Sequence, residues 1–131
     1  MIQTNAFDYI NVLNRAADAA WQRNEAISNN IANVDTPGYK RQDLDFESLL
    51  KQQMGRTKGV SFNDKIVDLN TKMKDLNPII YKDHAGYSYR LDGNNVDIDT
   101  ENVELASEQI KYQALTGSID SQFKRMNSVL R

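Results

Sequence analysis

A chain of 131 residues with a formal net charge of -2 and no cysteine has room for one domain. Its near-neutral balance argues against a nucleic-acid or anionic-membrane partner, which would need a basic face, and without cysteine it cannot hold disulfides or thiolate metal sites. Leu, Ile, Val and Phe make up about 24% of it, enough for a modest core, and no apolar run approaches the ~20 residues of a membrane-spanning helix.

The first expected element is a helix over about 5–33. Apolar or small residues recur at Ala6, Ile10, Leu13, Ala17, Ala20, Ile27, Ile31 and Val34. The steps alternate between three and four, and Asn24 fills the one missing slot. That is a heptad seam, so the helix expects to lie against other helices over its length. Asn24 reads either as a tolerated polar residue near water or as a register pin, because a buried asparagine pairs well in only one alignment. Phe7 and Trp21 lie two heptads apart and flank the seam. One partner helix cannot cover both a seam and its flank, so these two are expected to pack against a neighbouring subunit. The helix ends where Thr36 precedes Pro37, and Pro37-Gly38 suits the central positions of a type II turn. The N-terminus has neither the basic patch nor the apolar stretch of a cleaved secretory signal.

The middle of the chain is less regular. Residues 45–54 read as a short helix with Phe46, Leu49 and Leu50 on one face, and 55–59 as a flexible break. Ile66, Leu69, Met73 and Leu76 have helical spacing that their flanks do not reinforce. Residues 78–82 and 87–91 are rich in Ile and Tyr and are expected to form a small hairpin. His84, the only histidine, sits in a polar loop and reads as solvated. Residues 92–99 superficially suggest a calcium loop, but the sixth position, where the pattern needs glycine, is Asp97. They read instead as a turn at Asp92-Gly93 or Asn94-Asn95 followed by a helix cap. With no Gly-rich phosphate loop and no nucleophile elbow, no catalytic residue, cofactor or metal is expected.

The last element is a helix over about 100–130, capped by Asp97, Asp99, Thr100 and Glu101. Acids dominate its start, and Lys111, Lys124, Arg125 and Arg131 its remainder, as the helix dipole favours. Its apolar residues are Val103, Ala106, Ile110, Ala114, Leu115, Ile119, Phe123, Met126 and Leu130, a stripe wider than a two-helix seam requires. Gly117 sits mid-helix, a cost of ~1 kcal/mol against alanine that close packing on a neighbour would offset. Helices of ~43 and ~45 Å do not fit a ball with a radius of gyration of ~14 Å. The expected class is therefore mainly α: one elongated domain in which an N-terminal helix (1–34) pairs as a coiled coil with a C-terminal helix (100–131) around a variable middle (35–99). The candidate subunit interface comprises Phe7, Ile10, Leu13, Trp21, Asn24 and Ile27 on the first helix. On the last it comprises Ile110, Tyr112, Leu115, Ile119, Phe123 and Met126.

One stretch carries more than a fold. Asn29, Asn30, Ile31, Ala32 and Asn33 lead through Thr36, Pro37, Gly38 and Tyr39 to Lys40-Arg41, and Asp45-Phe46-Glu47 follows. This turn resembles the N-terminal signature of bacterial flagellar axial proteins, and within them the basal-body rod family, nearest to the proximal rod. Asp92-Gly93-Asn94-Asn95-Val96-Asp97 and Tyr112-Gln113-Ala114-Leu115 agree with it. The resemblance implies a non-enzymatic structural subunit of the basal body, outside the cytoplasmic membrane, exported through the flagellum's own secretion channel. Its implied partners are other rod proteins, copies of itself and junction proteins of the membrane ring or export gate, with no nucleic acid and no lipid insertion. The rival reading is a soluble helical adaptor or export chaperone that holds one partner helix in a groove.

Overall fold

A computed structural model describes residues 5–56, 61–72, 77–83 and 90–130. The side chain of Ala6, Met73, Leu76, His84 and residues 87–89 lie outside them. In chain order the elements are α1 (Asn5–Ala32), β1 (Gln42–Leu44), α2 (Phe46–Arg56), α3 (Phe62–Thr71), β2 (Ile80–Lys82) and α4 (Ile98–Val129). The protein is mainly α, and its two long helices pair. They run antiparallel: Asn30 reaches Glu101 and Arg23 reaches Glu108, whereas Asn14 and Ala17 line a groove with Thr116 and Ile119.

The three later helices each start where a side chain accepts their free N–H groups. Asp45 accepts from the Ser48 amide at 2.9 Å, Ser61 from the Asp64 amide at 3.2 Å, and Asp97 from the Asp99 amide at 3.0 Å.

α1 buries two faces, not one. The expected seam is buried at Ile10, Ala17, Ala20 and Ile27 and faces α4. A second 3–4 repeat runs one residue behind it through Tyr9, Val12, Ala16, Ala19, Arg23, Ala26 and Asn30. Its upper part packs with Leu44, Phe46, Ile66 and Leu69 into the main core, bordered by Leu49, Leu50 and Met54. The middle segment is thus wrapped against the side of α1.

β2 pairs antiparallel with β1, with Asp43 opposite Tyr81; the hairpin expected between 78–82 and 87–91 falls on residues 87–89, outside the described ones. One expectation is corrected: the stripe on α4 is rotated. The positions of α4 that face α1 are Glu101, Leu105, Glu108, Tyr112, Leu115, Ile119 and Met126, all buried or half-buried. Val103, Ala106 and Ile110 point outward and are exposed. Carboxylates take the inner positions of the first turns because Arg23 of α1 and Arg41, just before β1, meet them there.

Candidate functional site: the junction beneath the helix pair

The signature turn and residues 90–97 fold onto each other at the end of the helix pair. Thr36 to Tyr39 form the expected type II turn: the Tyr39 amide donates to the Thr36 carbonyl at 3.2 Å, and Gly38 has φ +73°. Gly93, at φ +76°, sits against it, close enough that a Cβ there would meet Gly38 Cα at 3.9 Å. The Gly38 amide donates to the Asp92 carbonyl at 2.8 Å, and Lys40 Nζ to the Gly93 carbonyl at 2.6 Å.

Two asparagines, both fully buried, hold the junction. Asn94 Nδ2 donates to the carbonyls of Asn33, Val34 and Thr36 at 2.9–3.0 Å, and its Oδ1 accepts from the Val96 amide. It holds the carbonyls of the residues that follow α1 and so caps the exit of the chain from that helix. Asn30 does the corresponding work for β1. Its Nδ2 donates to the Gln42 carbonyl at 2.7 Å and to Glu101 at 3.0 Å. Its Oδ1 accepts from the Gln42 amide at 2.8 Å and the Tyr39 hydroxyl at 3.2 Å. The amide thus occupies both ladder positions of Gln42 as a neighbouring strand would. Asn95 ties in β2, accepting from the Arg41 amide at 2.7 Å and donating to the Asp83 carbonyl at 2.9 Å.

Charges complete the knot. Arg23 reaches Asp43 at 2.8 Å, Glu108 at 2.5 Å and Glu104 at 3.1 Å. Arg41 pairs with Glu101, with Asp43 at 3.0 Å and with Asp83 at 3.7 Å. Lys111 joins Glu108 at 2.6 Å to Glu47. One guanidinium therefore bridges α1, β1 and α4, and the lysine adds α2. Every carboxylate in this set faces a cation, an arrangement that locks elements in register rather than one that moves protons.

Burial alone would raise the Asp43 carboxyl, but the Arg23 guanidinium, the Leu44 amide and Arg41 hold it below the usual carboxylate range. A depressed carboxylate stabilises the fold above its unfolded pKa, and that stability is lost as pH falls through the folded value. Thermal unfolding should therefore be insensitive to pH from 7 to about 5 and shift downward below that. Asp43→Asn should flatten this acid limb, and a limb left unchanged by Asp43→Asn would contradict the assignment.

Gly38 gives a second expectation. Nothing lies within 4 Å of the position its Cβ would take, so Gly38→Val meets no clash, only the left-handed backbone. The strain should be ~1–3 kcal/mol, read as lost swimming in a complemented strain. Normal motility with Gly38→Val would contradict it.

The other sequence-predicted positions are scattered. Asn29 is exposed, and its carbonyl accepts from Asn33 Nδ2 at 2.8 Å. Ile31 is half-buried; Ala32, Thr36 and Pro37 are exposed. Of the candidate interface, Ile10 and Ile27 are buried inside the chain, and Leu13, Tyr112, Leu115, Ile119 and Met126 are half-buried beside the helix seam. Phe7, Trp21, Ile110 and Phe123 stand exposed. Trp21 leans on Tyr112, ring centroids 5.8 Å apart, beside a shallow groove that Asn24, Leu105 and Gln109 also line. Among the described residues, the buried Asn24 Oδ1 has no hydrogen-bond partner.

Sequence reasoning singled out Asn30 and Asn94 only as parts of motifs, and missed Arg23, Arg41, Glu101 and Glu108 as members of a charge network. The second 3–4 repeat on α1, with Arg23 and Asn30 in two of its slots, was the available signal.

The flagella basal body rod protein family matches residues 10–40, which take in most of α1 and the signature turn. Proteins named flagellar basal body rod protein FlgB are similar along most of the chain. That of Bacillus subtilis is 36% identical over 118 residues, 90% of this chain and 89% of its own. That of Escherichia coli is 36% identical over 118 residues, 84% and 83%. That of Borreliella burgdorferi is 35% identical over 124 residues, 89% and 91%.

Proposed function

The chain belongs to the flagellar basal body rod protein family, and we propose that it builds the proximal end of the rod together with copies of itself and other rod proteins. It is a structural subunit of the flagellar basal body in the cell envelope, not an enzyme. Its neighbours at the rod base are the junction proteins of the membrane ring or export gate, reached after export through the flagellar channel. The observation that carries this reading is the extent of the likeness: 36% identity spans 90% of the chain, so both long helices and the junction between them are shared.

The geometry supports a mechanical role. A drive shaft transmits torque when its parts cannot rotate independently. Arg23 and Lys111 tie α1, β1, α2 and α4 to one another, and two buried asparagines fix the turn between them. The helix pair and the wrapped middle segment therefore move together.

Deletion of the gene should abolish swimming and leave basal bodies without a rod, and an epitope-tagged copy should restore both and copurify with basal bodies. A chain that stays in the cytoplasm bound to an export substrate would overturn the reading in favour of an adaptor.

A further inference from the structure

We propose that the outer face of α4 receives α1 of a second copy of this chain, with Trp21 of one copy seated over Gly117 of the next. This deepens the rod reading and rests on it. Val103, Ala106, Ile110, Ala114 and Gly117 lie on the side of α4 turned away from its own α1, and all are exposed. Val103 and Ile110 are 69% and 68% accessible. Gly117 sits deep in a 32-residue helix, where glycine is among the poorest helix formers. Among the described residues, nothing approaches within 4 Å of where its Cβ would stand. No contact described inside the subunit accounts for the missing side chain; a helix packed closely from outside does.

α1 carries the complementary surface. Phe7 and Trp21 are 57% and 60% exposed and two heptads apart, the same separation as Val103 and Gly117. Trp21 on one helix meets glycine on the other, as a knob meets a hole. With the two helices parallel and Trp21 over Gly117, Phe7 falls over Val103. Charge agrees. The exposed charges among the described side chains of α1 are Asp18 and Glu25, and the last turns of α4 carry Lys124 and Arg125 against Asp120. The same register brings Glu25 within one turn of Lys124 and Arg125. The two faces differ, so the contact is heterologous and propagates from copy to copy instead of closing a symmetric dimer.

The absence of native cysteine makes the test clean. Cells co-express two forms, Glu25→Cys and Ser121→Cys, each one turn beyond the proposed contact. Oxidised basal bodies should hold a mixed disulfide between the two forms, and Ser121→Cys alone should give none. Two results overturn the inference and leave the rod reading intact. One is basal bodies that contain both forms with no mixed disulfide. The other is a Glu25→Cys form bridged instead to a different rod protein bearing an engineered cysteine. A chain absent from wild-type basal bodies overturns both. Gly117→Leu supplies an independent measurement. The site is open within the subunit, so helix content by circular dichroism should hold or rise while rods per cell fall at least tenfold. Normal rod numbers with Gly117→Leu overturn the inference.

Discussion

Arg23→Ala is expected to remove ~3–5 kcal/mol of folding stability and to leave cells without rods. The residue donates to three carboxylates on two other elements, and two of these, Asp43 and Glu108, are buried at 7% and 1% exposure. Taking away the guanidinium leaves those charges in a poorly solvated site. Lys111 still serves Glu108 and Arg41 still serves Asp43, which sets the lower end of the range. Arg23→Lys keeps the charge but not the planar fork and should recover only part of the loss. Arg23→Met combined with Glu108→Leu removes both ends of the most buried pair and should lose less than Arg23→Ala alone, because the one carboxylate left without its cation on α4, Glu104, has a side chain exposed enough to be solvated. Urea denaturation of the three variants reads the differences. A loss under ~1 kcal/mol for Arg23→Ala, the range of an exposed ion pair, would show that the network contributes little to the fold.

Asn94→Ala should cost about 1–3 kcal/mol: the buried Val96 amide loses its acceptor, while the Asn33, Val34 and Thr36 carbonyls lose one donor but keep the Thr36 amide, Arg90 Nη1 and the Tyr39 amide. Asn94→Asp is the sharper variant. It keeps the shape, removes the donor and sets a carboxylate against three carbonyl oxygens, so it should be at least as harmful as alanine. Hydrogen exchange at the Asn33 and Val34 amides, which close the last turn of α1, reports whether the cap has been lost. An Asn94→Asp chain with native exchange there would contradict the capping role.

The long helices and the type II turn were legible because each has a strong local cause. A 3–4 apolar repeat marked the seam of α1, Asp97 marked the start of α4, and Pro37-Gly38 marked the turn. The one-sided apolar spacing of Phe46, Leu49 and Leu50 on α2, and of Ile66 and Leu69 on α3, was legible for the same reason. What failed was long-range. On α4 the inner positions of the first turns are glutamates, and hydrophobic patterning places glutamate outside. Only the presence of Arg23 and Arg41, 60 to 85 positions away in sequence, reverses that. The partner of β2 could not be read from its own segment, since β1 is set in place by the Asn30 side chain. Asn30 and Asn94 looked like turn and helix-end residues, and their burial follows from contacts that no local window contains.

The bonds that join the signature turn to residues 90–97 link positions 53 to 61 apart, and those from Arg23 and Asn30 to α4 link positions 71 to 85 apart. A topology of such high contact order closes slowly, because long loops must be brought together before any of these bonds forms. A chain emerging N-terminus first would present α1 without its cap, without its ion-pair partners and without α4 until nearly all of its length has appeared. The knot is therefore a late event in folding. Until it closes, α1 lacks the partners that fix it, and a subunit exported through a narrow conduit, as proposed above, would gain from a lock whose last pieces arrive together at the far end.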